Sequence, residues 1–132
     1  MKLVIFDCDG TIVDSQHMMV AAMDSAFSAN ALTPLPRART LSIVGLSLHL
    51  AIALLLPEHD TGVVNRVAEA YKAAFFQLRQ DPTQHEPPYP GAIEIIAALA
   101  ARPDIVLGLA TGKSRRGVDA IFDRLGLHPH FV

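Results

Sequence analysis

Residues 5–14 read IFDCDGTIVD, and both the fold and the chemistry of the chain can be argued outward from them. Two carboxylates, Asp7 and Asp9, lie where the apolar run of residues 3–6 meets a glycine. An apolar run of this length that ends in a turn signal is typical of a buried strand. Because buried carboxylates are costly unless they are paired or bind a metal, we expect a cation at the end of this strand and a bound anion beyond it.

The residue types in this stretch suit phosphoryl transfer. A carboxylate can attack phosphorus to form an aspartyl-phosphate, and a second carboxyl group can protonate the leaving oxygen and then deprotonate water. We predict that Asp7, at the end of the rigid strand, is the nucleophile and that Asp9, in the turn, is the acid/base. Mg²⁺ would neutralise the negative charge, and Gly10 with Thr11 would form a turn that binds phosphate. A simple helix cap or Asx-turn is the alternative, but it explains only one of the two aspartates comfortably.

Residues 7–11, DCDGT, followed by IVDS at 12–15, resemble the first motif of the haloacid dehalogenase (HAD) superfamily. The similarity is to its phosphoglycolate phosphatase-like members, which carry a helical cap. The resemblance implies that Asp7 is the nucleophile and Asp9 the general acid/base. It also implies that the Asp7 carboxylate and the Asp9 main-chain carbonyl bind Mg²⁺, and that the substrate is a small phosphorylated metabolite.

Composition excludes several classes of protein. The chain has 132 residues, which suffices for one ordinary domain or a small domain with an insert. Its net charge is −2 and no basic face is clustered, so we expect no nucleic-acid partner. The most apolar stretch, residues 41–56, is shorter than the roughly 20 residues of a membrane-spanning helix. A single cysteine and no recognisable signal peptide indicate a cytoplasmic protein.

Hydrophobic periodicity predicts an α/β fold with an all-α insertion. Residues 1–14 and 90–132 are assigned to a partial, Rossmann-like parallel core, and residues 15–80 to a helical cap. The proline-rich residues 81–89 are expected to form a hinge or linker. Within the core, the pattern predicts strands at 3–7 and 105–110, helices at 92–101 and 114–125, and the start of a third strand at 131–132.

A second candidate phosphate site, residues 110–113 (ATGK), follows the second predicted strand. Ligands of open parallel sheets collect at the carboxyl ends of the strands, so this corner should lie beside Asp7. The Thr111 hydroxyl and the Gly112 N–H at a helix start can hold a phosphate, as the resemblance to the second HAD motif also implies. A plain strand-to-helix turn is the alternative. Lys113 is a candidate phosphate ligand, although a solvated lysine is the more usual arrangement at a helix start.

The insertion contains three weaker candidates for residues that contact the substrate. His17 follows the first motif closely enough to face an active site, and Arg37 could attract an anionic substrate tail. Gly45 falls where related caps carry a substrate-facing loop, which is an implication of the resemblance alone. A polar cap surface is the alternative for each of the first two.

Related enzymes carry a third motif with a lysine and a fourth, acidic motif, and neither follows Thr111 here. The resemblance therefore implies a C-terminally truncated piece of a phosphatase, inactive alone, whose extended version would hydrolyse phosphate monoesters. Two alternatives remain: a non-catalytic helical binding or dimerisation fragment, and a phosphomutase of the same superfamily. An incomplete sheet would also leave an edge strand exposed, through which the chain could self-associate.

Overall fold

The computed structural model describes residues 1–81 and 83–132, and these residues form two compact units. The α/β unit consists of Met1–Asp14 and Glu86–Val132, and the helical unit is the continuous segment Ser15–His85 between them. Pro82, in the predicted hinge, lies outside the described residues. The elements are β1 (Lys2–Phe6), α1 (Gln16–Ala29), α2 (Arg37–Leu41), α3 (Leu48–Leu55), α4 (Thr61–Gln80), α5 (Ala92–Ala100), β2 (Ile105–Leu109), α6 (Arg115–Leu125) and a short 3₁₀-helix (His128–His130).

The predicted α/β class is confirmed by a parallel pair of strands. β1 and β2 pair in register from Lys2 opposite Ile105 to Phe6 opposite Leu109. The helices α5 and α6 connect to these strands and pack on one face of the pair through the buried side chains of Ile96, Leu107 and Ile121. A parallel arrangement is expected because the connection between the strands contains the helical segment and α5.

The expectation that the first strand is buried holds for only one of its faces. Val4 and Phe6 pack against the core, whereas Leu3 and Ile5 on the opposite face are 61% and 59% exposed. Parallel strands are buried on both faces only when helices cover both. In the described part of the chain, α5 and α6 contribute to a single core on one face.

The ends of α6 follow the capping rules that its sequence suggests. The Ser114 hydroxyl oxygen accepts a hydrogen bond from the Gly117 N–H at 3.2 Å, which satisfies one of the unpaired donors at a helix start. Gly126 ends the helix in the left-handed conformation, with φ +67°. The predicted third strand is not formed among the described residues. Val132 makes one bond to the sheet, its N–H donating to the Leu107 carbonyl at 3.0 Å.

The helical unit is built around α1 and α4, with α3 packed beside α4. Phe27, Ile52 and Val67 are fully or almost fully buried in its core. Asp60 caps α4, since its Oδ1 accepts the Val63 N–H at 3.0 Å. The short helix α2 begins at Arg37. Pro36 immediately precedes this helix, where a missing N–H does not break any helical hydrogen bond.

None of the helices in the described ranges combines the length and the apolar character that crossing a bilayer demands.

Candidate active site at the ends of the parallel strands

Asp7 is the first residue after β1, and its side chain is half-buried. Its Oδ1 accepts a hydrogen bond from the N–H of the next residue, Cys8, at 2.7 Å. A carboxylate has about four lone-pair positions, so this bond leaves capacity for further ligands. The end of a packed strand thus holds a carboxylate in a defined orientation, as a nucleophile requires.

A tight turn follows Asp7 and carries Asp9. The Cys8 carbonyl accepts hydrogen bonds from the N–H groups of Thr11, Ile12 and Val13 at 3.2, 2.9 and 3.2 Å. Gly10 takes the left-handed conformation, with φ +80°, and donates its N–H to the Val13 carbonyl at 2.9 Å. The N–H groups of Gly10 and Thr11 therefore have partners inside the turn. Their binding of phosphate remains a prediction, and it requires these groups to share or exchange those partners.

The Cys8 side chain points into the core of the α/β unit. It is fully buried, and burial raises the pKa of its thiol from 9.0 to about 12, with the neighbouring Asp9 carboxylate adding to the shift. A thiolate is the reactive form of cysteine. Cys8 is therefore a packing residue of the turn.

The second loop lies beside the first because the strand pairing continues past the strands. The N–H of Ala110 donates to the Phe6 carbonyl at 2.9 Å, directly beyond the Phe6–Leu109 pair. One residue further, the Thr111 Oγ1 accepts the Lys113 N–H at 3.0 Å and closes a turn ahead of α6. Gly112 is exposed in this turn.

Lys113 links the two loops. Its Nζ lies 3.0 Å from Asp9 Oδ1 and also 3.0 Å from Glu86 Oε2. The side chains of Lys113, Asp9 and Glu86 are only 8%, 12% and 3% exposed. The expectation of a solvated lysine is therefore wrong, since the buried ammonium is held by two carboxylates.

Sequence reasoning missed Glu86, which lies in the segment expected to be a linker. Its main-chain carbonyl accepts a hydrogen bond from Arg124 on α6, in addition to the contact of its side chain with Lys113. The segment beside it pairs with the first motif, because the Asp14 N–H donates to the Pro87 carbonyl and the Tyr89 N–H donates to the Ile12 carbonyl. Nothing local in the sequence signals these contacts, since they join residues far apart in the chain.

The structure brings most of the proposed site residues together in the α/β unit. Asp7, Asp9 and Lys113 belong to the two adjoining loops, with Gly10, Thr11, Thr111 and Gly112 beside them. The three weaker candidates belong to the helical unit, where His17, Arg37 and Gly45 are all exposed. Arg37 donates to Gln16 Oε1 at 3.3 Å within that unit.

The oxygen donors of the first loop fit a hard cation such as Mg²⁺. The Asp7 carboxylate and the Asp9 main-chain carbonyl are ligand types that Mg²⁺ prefers, and it keeps several waters in its coordination shell. Within residues 1–81 and 83–132, no three His, Cys, Asp or Glu side chains form a group suited to a metal ion.

Comparison with known proteins identifies the family of the chain. The profile described as "haloacid dehalogenase-like hydrolase" matches residues 4–132. The chain belongs to this family. Among curated proteins, this HAD-like chain is similar to the phosphoglycolate phosphatase of Rhodospirillum rubrum, with 33% identity over 131 residues, 96% of this chain and 54% of that protein. It is 29% identical to phosphoglycolate phosphatase 1 of Pseudomonas aeruginosa, over 98% of this chain and 48% of that one.

Solved structures agree with the fold assignment. A hydrolase from Pseudomonas syringae superposes with a TM-score of 0.80 at 26% identity, over 96% of the HAD-like chain and 56% of that structure. A haloacid dehalogenase-like family protein from Streptococcus pneumoniae reaches a TM-score of 0.80 at 17% identity, over 99% and 59% of the two chains, and supports the fold alone. The chain spans about half the length of the curated relatives it matches.

Proposed function

We propose that this HAD-like chain belongs to a Mg²⁺-dependent phosphatase that hydrolyses small phosphate monoesters through an aspartyl-phosphate. The observation that carries the proposal is the meeting of the Asp7–Thr11 loop with the Thr111–Lys113 loop at the ends of two paired parallel strands. The similarity to phosphoglycolate phosphatases supports phosphoglycolate or a related small ester as the substrate.

In this proposal the two aspartates divide the chemistry. The Asp7 carboxylate attacks phosphorus while Asp9 donates a proton to the departing alcohol oxygen. Asp9 then removes a proton from the water that attacks the phosphorus of phospho-Asp7, which releases inorganic phosphate and restores both carboxyl groups. Their separate positions suit these roles, since Asp7 ends a packed strand and Asp9 lies in the following turn.

The remaining loop residues are proposed to bind the phosphate. The Thr111 hydroxyl and the N–H of Gly112 would hold its oxygens from the second loop, and the turn at Gly10 and Thr11 from the first. The Asp7 carboxylate and the Asp9 main-chain carbonyl would hold Mg²⁺, which supplies charge neutralisation when bound. Lys113 was predicted as a further phosphate ligand, but its two carboxylate partners suggest the different role argued below.

The helical unit is proposed to select the substrate through His17, Arg37 and the loop at Gly45. An exposed arginine and histidine suit the carboxylate or phosphate tail of a small anionic ester. We also propose a cytoplasmic location, because a reducing compartment suits a protein whose single cysteine is a buried free thiol.

The test measures Mg²⁺-dependent hydrolysis of p-nitrophenyl phosphate and phosphoglycolate by the 132-residue chain and by a version that continues past Val132. We expect turnover by the longer version and little or none by the shorter chain. Asp7→Asn should abolish turnover, whereas the matched control Asp104→Asn, at an exposed ion pair, should not. In Asp9→Asn, a phosphate label should accumulate on Asp7. Turnover that survives Asp7→Asn, or a label on another residue, would contradict the mechanism.

A second candidate function, self-association without catalysis, is favoured by one observation. The outer face of β1 exposes Leu3 and Ile5, an apolar pair on a strand that is paired on one side only among the described residues. Sedimentation of the 132-residue chain at increasing concentration tests this function. A dimer that Leu3→Lys disrupts, together with absent turnover in both lengths, would favour this candidate over the phosphatase.

A further inference from the structure

We propose that Lys113, held in place by Glu86, is a positioning residue that fixes the carboxylate of Asp9. The inference rests on the proposed function, because it assigns the restraint to the acid/base of that reaction. It replaces the phosphate-binding role that the sequence suggested for Lys113. The cluster formed by Asp9, Glu86 and Lys113 is here called the acid–lysine–acid cluster.

The cluster is buried, and both of its carboxylates contact the ammonium. The Lys113 Nζ lies 3.0 Å from an oxygen of each carboxylate, and no member exposes more than 12% of its side chain. An ammonium has three donors, and two of them are aimed at these oxygens. Removing one member of a buried ion cluster leaves an uncompensated charge, so the three side chains hold one another in a single arrangement.

Glu86 is the fixed end of the cluster. Its carbonyl accepts a hydrogen bond from Arg124, and the residues after it pair with the strand-like segment of the first motif through the bridge between Val13 and Pro88. The main chain of Lys113 is fixed as well, since its N–H donates to Thr111 Oγ1 at 3.0 Å. The lysine is therefore anchored at both its backbone and its ammonium.

Asp9, by contrast, lies in a turn next to an exposed glycine. The hydrogen bonds of this turn fix its backbone, while an aspartate side chain has three staggered χ1 rotamers. The ion pair with Lys113 favours the rotamer that keeps Asp9 Oδ1 3.0 Å from the ammonium. An acid/base needs such placement, since proton transfer requires hydrogen-bond distance to the reacting oxygen.

The first test measures the side-chain rotamer of Asp9 in the 132-residue chain, so it does not depend on catalytic activity. Three-bond couplings in NMR report the side-chain χ1 rotamer of Asp9. We expect one rotamer in the natural chain and averaging between rotamers in Glu86→Gln and Lys113→Met. The matched controls are Glu94→Gln and Lys72→Met, both at exposed helix positions, and they should leave Asp9 in one rotamer. A single Asp9 rotamer in both cluster variants would overturn the proposal.

A more conservative variant keeps the test decisive if the first two variants fail to fold. Glu86→Asp keeps the charge but shortens the side chain by one methylene, so it should withdraw from Lys113 and also release Asp9. The amide signals of β1 and β2 show whether each variant remains folded. If the folded Glu86→Asp variant keeps one Asp9 rotamer, the proposal fails even when the other two variants do not fold.

The second test uses the longer version in the phosphatase assay. Misplacing a catalytic group by about 1 Å can cost about 100-fold, so Glu86→Gln should lower kcat by about that factor with KM little changed. The double variant Glu86→Gln/Lys113→Met should lose no more than the worse single variant, because residues that act as a unit are not additive. If Lys113→Met instead raises KM and leaves kcat unchanged, Lys113 binds the phosphate and the proposal is overturned.

The two tests separate the two proposals. If the longer version shows no turnover at all, the proposed function fails, but the rotamer measurement still decides whether Lys113 and Glu86 position Asp9. If Asp9 becomes mobile in the variants while kcat stays unchanged, the phosphatase stands, and the link between the restraint of Asp9 and the acid/base step is overturned.

Discussion

The main-chain N–H of Ala110 donates to the carbonyl of Phe6 at 2.9 Å, one residue beyond the last register pair of the two strands. This bond places the residues that follow each strand side by side, because parallel strands end at the same edge of a sheet. The first motif and the Thr111 corner are thus joined by backbone geometry, before any side chain contributes. Packing that holds the strands in register therefore also holds the candidate site.

The packing of α5 on the strands gives the first prediction. Ile96 is fully buried in the α/β core, whereas its neighbour Ile95 is 51% exposed on the same helix. Replacing a buried isoleucine by alanine removes apolar contacts and leaves a cavity, so Ile96→Ala should lower the free energy of unfolding by about 2–5 kcal/mol. Ile95→Ala should change it by about 0.5 kcal/mol or less.

Urea denaturation followed through the amide signals of β1 and β2 measures both variants. If both variants lost the same free energy of unfolding, α5 would not present its Ile96 face to the core. The same conclusion would follow if the free energy of unfolding of Ile96→Ala were unchanged.

The elements of the α/β unit were largely readable from the sequence, since their apolar residues recur at the period of the element. A helix was predicted over 114–125, and it forms over Arg115–Leu125 with Val118, Ile121 and Phe122 buried. The parallel arrangement of β1 and β2 followed from the alternation of strands and helices along the chain. Local periodicity and turn residues determine these features, so no distant contact had to be known.

The cluster around Lys113 could not be read in the same way. Glu86 contacts a lysine 27 positions away, and Lys113 contacts an aspartate 104 positions away. A lysine or glutamate is ordinarily exposed, and only a partner supplied by the fold makes its burial tolerable. The prolines around Glu86 favoured a linker, although the Pro87 carbonyl accepts the Asp14 N–H of the first motif.

The cap of α6 gives the second prediction. Ser114 Oγ accepts the Gly117 N–H at the start of this helix, directly after Lys113. Ser114→Ala removes the acceptor and should lower the free energy of unfolding by about 1 kcal/mol, whereas Ser114→Gly should cost only a few tenths. Urea denaturation of both variants measures the difference. If the alanine variant is as stable as the natural chain, the hydroxyl does not cap the helix in solution.

Gly10 gives the third prediction. Its φ is +80°, and a Cβ built there meets no atom within 4 Å, so a substitution meets backbone strain without steric overlap. Gly10→Ala should lower the free energy of unfolding by roughly 1–2 kcal/mol. Gly10→Asn should lower the free energy of unfolding by less than Gly10→Ala does, because asparagine tolerates the left-handed conformation better than alanine. Thermal or urea unfolding measures both variants. If Gly10→Ala were more stable than the natural chain, Gly10 would not have the left-handed conformation in solution.

Cys8 gives the fourth prediction, which concerns pH. Burial, aided by the Asp9 carboxylate, raises the pKa of its thiol from 9.0 to about 12 in the folded chain. Between these values the unfolded chain has lost the thiol proton and the folded chain still holds it. The unfolded state then binds fewer protons, so the free energy of unfolding falls as the pH rises from about 9 toward 12. Below pH 9 both states hold the proton, and the thiol contributes no pH dependence.

The matched variant Cys8→Ala isolates this contribution. The two proteins share every other ionisable group, whereas only the natural chain carries the buried thiol. The free energy of unfolding should therefore fall less steeply with pH in Cys8→Ala than in the natural chain. Parallel slopes in urea titrations from pH 8 to 11 would contradict the prediction, because they would place the Cys8 pKa near its ordinary value and its side chain outside the core.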